Sequence, residues 1–234
     1  MENRFEIIPA VIPKSFEELS EKLALVKSFA PTVHIDANDG VFTREPSWPY
    51  GGTDEEVFTA ITEEKDGLPF WDSLDYEAHL MVAKPEEKVA AWVQAGAMRI
   101  IVHVEAIHDF DALWSTVGEL TELVLALKLQ TPLETLEPFA ERIEGIHLMT
   151  ILQIGYQGVG FDETSLDRVK AAHAQYPNLP ISVDGGITTE NAKALFDAGA
   201  SRLVVGSAIV GSEDPEYTYR ELENIARLAE GFTG

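Results

Sequence analysis

Histidine and aspartate residues occur at positions from which they could bind a metal ion together. His34 and Asp36 lie two positions apart in an apolar run, and this spacing directs both side chains to one face of a β-strand. His79 lies in the next such run, and Asp184 ends a later one. If they converge, two imidazoles and two carboxylates form a site for a divalent ion of the zinc, iron, manganese or cobalt type. Each residue alone is a weak signal, because a single Asp often caps a turn and a single His often belongs to the core.

Eight short runs rich in β-branched and apolar residues predict strands. They cover residues 5–12, 32–36, 76–82, 99–104, 123–128, 145–151, 180–184 and 202–205. Helical patterns lie between them, including one that starts at Ser15 and others at 85–95, 163–176 and 189–198. This alternation predicts an α/β fold, a single (β/α)8 TIM barrel over residues 1–234, with an open doubly wound sheet as the alternative. Reactive groups of such barrels lie at the carboxyl ends of the strands.

Glycines follow the last three predicted strands, where barrels often bind phosphate through backbone N–H groups. The residues are Gly155 and Gly158, Gly185 and Gly186, and Gly206 with Ser207. The alternative is that they only form turns. A long irregular stretch at about 41–53 follows the second strand. Its length is typical of a functional loop or lid, and an ordinary surface insertion is an equally good interpretation.

The other histidines allow more than one interpretation. His103 shares a strand face with Glu105, and His147 shares one with Met149. We assign structural roles to Glu105 and to His147, which we place lower in the barrel, and leave the role of His103 open. The two remaining histidines, His108 and His173, are assigned to a loop and to a helix surface.

The composition excludes several kinds of chemistry. The 234 residues contain no cysteine, and 40 acidic against 17 basic residues give a net charge of −23. Disulfides, thiolate metal sites and cysteine nucleophiles are therefore excluded, and the charge argues against nucleic-acid or anionic-membrane binding. No apolar run reaches the length of a membrane span, and the amino-terminal residues lack a secretion signal. We expect a cytoplasmic protein that acts on a small molecule, and a homo-oligomer is possible.

Several separate motifs, in order, resemble the D-ribulose-5-phosphate 3-epimerase family of ribulose-phosphate-binding barrels, from about residue 9 to 210. They are His34-Ile-Asp36-Ala-Asn38-Asp39-Gly40, His79-Leu-Met81, Thr131-Pro-Leu-Glu-Thr-Leu-Glu-Pro138, Val183-Asp184-Gly185-Gly186 and Gly206-Ser207-Ala208. The resemblance implies that the metal ligands are His34, Asp36, His79 and Asp184. It also implies that the six glycine and serine residues above, from Gly155 to Ser207, hold the substrate phosphate, with Met81 and Met149 against the sugar.

The resemblance further implies that Asp36 and Asp184 are the acid–base pair. Inverting a carbon next to a ketone requires removal of a proton from one face and its return to the other, so two such groups are needed. A divalent ion would stabilise the enediolate formed between these steps. We therefore expect inversion of carbon 3, converting D-ribulose 5-phosphate to D-xylulose 5-phosphate.

Some positions depart from the family pattern. Ala10 and Asn38 replace the usual Ser and Met, the loop at 153–160 is one residue longer, and residues 41–53 are extended. These changes concern substrate contacts more than metal ligands, so an epimerase of another sugar phosphate, such as a six-carbon ketose phosphate, is one alternative. A non-catalytic phosphate-binding barrel is another. An aldolase-like or decarboxylating barrel ranks lower, because residues 79–84 lack the Asp-x-Lys-x-x-Asp pattern of those relatives.

Overall fold

Eight parallel strands form a closed barrel in a computed structural model that describes residues 5–52, 54–118, 121–156 and 158–231. The strands follow one another around the barrel in sequence order, and β1 closes it by pairing with β8. They are β1 Glu6–Val11, β2 Thr32–Asn38, β3 Asp75–Met81, β4 Arg99–His103, β5 Glu122–Leu127, β6 Gly145–Met149, β7 Ile181–Asp184 and β8 Arg202–Val205. This confirms the predicted TIM barrel, and the open sheet is wrong.

Helices cover the outside of the barrel. They are α1 Phe16–Val26, α2 Glu55–Thr62, α3 Val89–Gln94, α4 Phe110–Val117, α5 Ser165–Gln175, α6 Thr189–Ala198, α7 Ser207–Val210 and α8 Pro215–Ala229. The helix expected at 85–95 is interrupted, because Lys88 has φ −115° between a 3-10 turn at Pro85–Glu87 and α3. Between β5 and β6 there is only a 3-10 turn, Leu133–Leu136. Among the described helices, none combines the length and the apolar character needed to cross a membrane.

The strands alternate apolar and polar side chains, and this alternation separates the core from the site. On β2, Val33 and Ile35 belong to the apolar layer between strands and helices. The intervening His34 and Asp36 point to the other face, into the barrel. The register places Asp36 beside His79 on β3. Neighbouring strands therefore bring polar side chains together inside the barrel.

The long loop after β2, called the β2 loop here and described over residues 39–52, is anchored by Trp48. This side chain is fully buried and its ring lies 5.3–5.9 Å from those of Phe16, Phe58 and Trp92. The base of the loop is therefore part of the apolar layer outside the barrel. Thr53, at the end of the predicted loop, lies outside the described residues.

Candidate active site

Four histidine rings gather inside the barrel, next to two carboxylates. His34, His79, His103 and His147 are fully buried, and neighbouring ring centroids lie 4.8–5.5 Å apart. Asp36 Oδ1 lies 3.2 Å from His34 Nε2 and 2.9 Å from His79 Nδ1. Asp184 Oδ2 lies 3.9 Å from His79 Nδ1. The structure thus brings together His34, Asp36, His79 and Asp184.

Glu77 fixes the orientation of His34. Its Oε1 accepts a hydrogen bond of 2.7 Å from His34 Nδ1, which leaves Nε2 directed at Asp36. Its Oε2 accepts from Arg99 at 2.8 Å and from Arg202 at 2.5 Å. Burial alone would raise the pKa of Glu77, but the Arg202 charge, His34 and Arg99 outweigh it and hold the pKa well below its usual range. The sequence interpretation missed Glu77, although its position two before His79 puts both on one face of β3.

A second chain of contacts orients His79. Glu105 Oε2 lies 3.2 Å from His103 Nδ1, and His103 Nε2 lies 3.1 Å from His79 Nε2. Because an ionised carboxylate can only accept, His103 donates from Nδ1 to Glu105. The other nitrogen of His103 contacts Nε2 of His79, which directs His79 Nδ1 at Asp36. His103, whose role the sequence left open, is therefore a neighbour of the proposed ligands.

His79 Nδ1 faces the Asp36 carboxylate at 2.9 Å. Imidazole nitrogen and carboxylate oxygen suit a zinc, iron, manganese or cobalt ion. One donor atom from each of His34, His79, His147 and Asp184 lies within 4.8 Å of the other three. The donor set therefore fits a divalent ion.

The two carboxyl groups have opposite pKa shifts. Burial alone would raise the pKa of Asp36, but the His34 charge and the hydrogen bonds of His34 and His79 lower it. Burial and the charge of Asp36 raise the pKa of Asp184 to about 6. When two carboxyl groups share one buried site, their pKa values separate in this way, because both cannot easily be ionised at once. At neutral pH, Asp36 is the more firmly ionised group and Asp184 is the readier proton carrier.

His147 lies in this cluster, two residues before Met149 on β6 and beside Ser182 of β7; its predicted structural role stays a prediction. Its Nε2 is 3.5 Å from Asp184 Oδ2, and its ring lies 5.5 Å from that of His34. Burial, together with the charge of His34, holds the pKa of His147 well below its usual range, so the ring is neutral. In contrast, His108 and His173 are exposed, as predicted, in a loop and on α5.

One cavity joins the carboxylates to the glycine groups. It is lined by Asp36, Asp184, Met81, Met149, Gly155, Gly158, Gly185, Gly186, Gly206 and Ser207, together with Ala10 and Tyr156. Gly186 has φ +65°, and a Cβ there would lie 2.4 Å from the backbone nitrogen of Phe161. This glycine lets two loops approach closely at the cavity wall. Gln157, within the 153–160 loop, lies outside the described residues.

The tip of the β2 loop lies over the barrel mouth. The Phe42 ring is 5.0 Å from that of His103, and Lys128 Nζ lies 3.8 Å from the centre of the Phe42 ring. A Cβ on Gly155 would lie 2.9 Å from Thr43, so the loop at 153–160 packs against this tip. Arg44 and Lys128 line the groove between the two loops. The loop therefore combines a buried anchor with a tip beside the cavity.

We expect Glu105→Gln to weaken the acid dependence of stability. Burial alone would raise the pKa of Glu105, but His103, Thr131 and the Lys128 N–H lower it to about 2. A pKa lowered on folding stabilises the protein above the unfolded value of about 4.3, and this contribution is lost as the pH falls towards 2. Urea unfolding should show that the free energy of unfolding falls less between pH 6 and pH 3.5 in the variant than in the wild type. An equal loss in both would contradict the assignment.

Comparison with known proteins gives relatives in sequence as well as more distant structural matches. The sequence model of the Ribulose-phosphate 3 epimerase family matches residues 6–210. Ribulose-phosphate 3-epimerase of Schizosaccharomyces pombe is 28% identical over 227 residues, covering 96% of this chain and 95% of that protein. The Bacillus subtilis enzyme of that name is also 28% identical, covering 93% and 97%.

Solved structures share the barrel at lower identity. 3-Hexulose-6-phosphate synthase from Salmonella typhimurium superposes with a TM-score of 0.69 at 16% identity, covering 96% of this chain and all of that one. Orotidine 5'-phosphate decarboxylase from Pyrococcus horikoshii superposes with a TM-score of 0.63 at 19% identity, covering 97% and 100%. At these identities the likeness concerns the fold alone.

Proposed function

We propose, from the premise that this chain belongs to the ribulose-phosphate 3-epimerase family, that it inverts carbon 3 of D-ribulose 5-phosphate to give D-xylulose 5-phosphate. Family membership makes the chain an isomerase, an epimerase of sugar phosphates. The observation that carries the finer proposal is that Asp36 and Asp184, from β2 and β7, line one cavity with the phosphate-type glycine loops. The cavity thus offers carboxylates for the reacting carbon and backbone N–H groups for the phosphate of a small phosphorylated sugar.

Asp36 and Asp184 would exchange one proton with each face of the substrate. In one direction Asp36, held ionised by its histidine neighbours, removes the carbon 3 proton. Asp184, whose raised pKa of about 6 lets it carry a proton near neutral pH, returns a proton to the opposite face. The roles reverse for the other epimer.

His34, Asp36, His79 and Asp184 would hold a divalent ion of the zinc, iron, manganese or cobalt type. When bound, the ion supplies positive charge that stabilises the enediolate oxygens. Glu77 keeps His34 Nε2 directed inward, and the contacts from Glu105 through His103 orient the ring of His79. Such outer hydrogen bonds hold imidazoles in the ligating tautomer.

The phosphate would be held by backbone N–H groups of the glycine loops and by Ser207. Backbone donors matter because the net charge of −23 repels an anion at long range. Arg44 and Lys128, at the groove beside the 153–160 loop, supply local positive charge on the approach. Met81 and Met149, which line the cavity, would pack against the sugar carbons.

We expect a panel of phosphorylated ketoses to identify the substrate. With the metal-loaded protein, D-ribulose 5-phosphate should have a kcat/KM at least about tenfold above a six-carbon ketose phosphate, because an extra carbon must fit between the carboxylates and the glycine loops. D-Ribulose without phosphate should react poorly, since it makes no contact with the glycine loops. NMR of the product mixture gives the rates and the inverted centre.

The panel also separates the alternatives. Preference for the six-carbon substrate would replace the proposed one and point to Ala10, Asn38 and the β2 loop as the cause. Binding of D-ribulose 5-phosphate without turnover, in protein shown to contain metal, would indicate a phosphate-binding barrel and contradict the proposed reaction. Conversion of D-ribulose 5-phosphate at carbon 3 supports it.

A further inference from the structure

His147 is a buried imidazole that the polypeptide leaves unpaired. Its side chain is fully buried, yet neither ring nitrogen has a hydrogen-bond partner among the residues that the structure describes. Buried polar groups are nearly always paired, because an unpaired one loses its hydrogen bonds to water and gains none. The position of His147 therefore indicates a partner that is not part of the chain.

The surroundings of His147 indicate the kind of partner. Its Nε2 lies 3.5 Å from Asp184 Oδ2, too far for a good hydrogen bond. One donor atom from each of His34, His79, His147 and Asp184 lies within 4.8 Å of the other three. Nitrogen and oxygen donors lie about 2.0–2.1 Å from zinc, which places neighbouring donors of one ion roughly 3 Å apart. Inward movements of about 1 Å or less per donor would give that spacing.

The sequence presents His147 in the same way as His79. The tripeptide His-Leu-Met occurs at 79–81 on β3 and again at 147–149 on β6. Because strand side chains alternate, the His and Met of each tripeptide share a face. Both methionines line the same cavity. The histidine preceding each of them is therefore directed into the barrel, one from either side of the cluster.

We propose that His147 is an additional nitrogen ligand of the same ion, beside the proposed ligands His34, Asp36, His79 and Asp184. This inference rests on the metal site of the proposed function. A third imidazole makes the site richer in nitrogen, which favours zinc, cobalt or iron over the oxygen-seeking magnesium and calcium ions. It also gives the buried Nε2 lone pair the partner that the chain does not provide.

The test compares wild type, His147→Leu and the surface control His108→Gln, each as metal-free protein titrated with Co2+ and with Zn2+. Loss of a direct ligand should weaken Zn2+ binding by at least about 100-fold, beyond the 10–100-fold typical of outer contacts. In the Co2+ protein, the shifted NMR signals of ligand imidazole N–H protons should decrease by one. The metal-free variant should keep its Tm or gain a few degrees, because an unpaired buried ring has been replaced by an apolar side chain.

The outcomes distinguish this inference from the function on which it rests. If wild type and His108→Gln bind the ion and His147→Leu binds it within tenfold, with the Co2+ signals unchanged, His147 is not a ligand although the metal site stands. A fall in the Tm of metal-free His147→Leu, with metal affinity retained, would instead show a structural role. If wild type binds neither ion, both the metal site and this inference fail.

Discussion

Asp36→Asn and Asp184→Asn should each lower the rate of epimerisation by about 10²–10⁴-fold, the usual contribution of a positioned acid–base group. Each substitution removes the group that serves one face of carbon 3 and leaves the other in place. In D2O the remaining carboxylate should still exchange the carbon 3 proton of one epimer without inverting it. The two variants should show this exchange with opposite epimers. NMR of each pure epimer measures exchange and inversion together.

The control for these variants is Asp167→Asn, which removes a carboxylate from the exposed side of α5. It should keep full activity. Metal content is measured in every variant, because Asp36 and Asp184 are also proposed ligands and an inactive protein without metal says nothing about proton transfer. Metal-loaded Asn variants that epimerise at the wild-type rate would refute the acid–base pair.

Removal of the metal with a chelator should reduce the activity by about 10³-fold or more, since stabilisation of the enediolate charge is worth several kcal/mol. When the metal-free protein binds the ion again, it should release protons. Burial alone would lower the pKa of His34, but Asp36 and Glu77 outweigh it and raise it to about 10 in the metal-free protein. The ion must displace the Nε2 proton, so affinity falls as the pH is lowered, and below about pH 6 protonated Asp184 lowers it further.

Calorimetry in two buffers with different ionisation enthalpies measures this release, and about one proton per ion is expected at pH 7.5. Wild type whose metal affinity does not change between pH 6 and pH 8.5 would contradict the protonation of His34. Activity that persists in protein shown by elemental analysis to be free of metal would exclude the proposed role of the ion. Glu105→Gln, which leaves the His34 contacts intact, should release protons as the wild type does.

The barrel could be predicted because its information is local. Each strand needs only a short apolar run and each helix a 3.6-residue pattern, and α6, predicted at 189–198, has those bounds in the structure. The predicted residues His34, Asp36, His79 and Asp184 do lie together. Side chains alternate along a β-strand, so the sequence position decides which face each one lies on. The register between neighbouring parallel strands then decides which side chains meet. Their roles as ligands and acid–base groups stay predictions, as do a cytoplasmic location and a homo-oligomer.

Other features depended on contacts between distant parts of the chain. Glu77 joins His34 to Arg202, which lies 125 residues further on, and no local pattern indicates such a pairing. The position of His147 in the histidine cluster could not be read from the sequence for a similar reason. The unpaired ring nitrogens of His147 can be recognised only in the structure, because a sequence does not show hydrogen bonds. In the sequence, the repeated His-Leu-Met was the signal that His147 and His79 have similar orientations.

Glu77 also connects the two ends of the barrel. One of its oxygens belongs to an ion-pair layer with Arg99 and Arg202, the first residues of β4 and β8, and the other holds a proposed metal ligand. A single side chain therefore links the ion pairs at the amino-terminal end of the barrel to His34 in the candidate site. Engineering that changes Arg99 or Arg202 for heat resistance should therefore also change the orientation of His34, a proposed metal ligand.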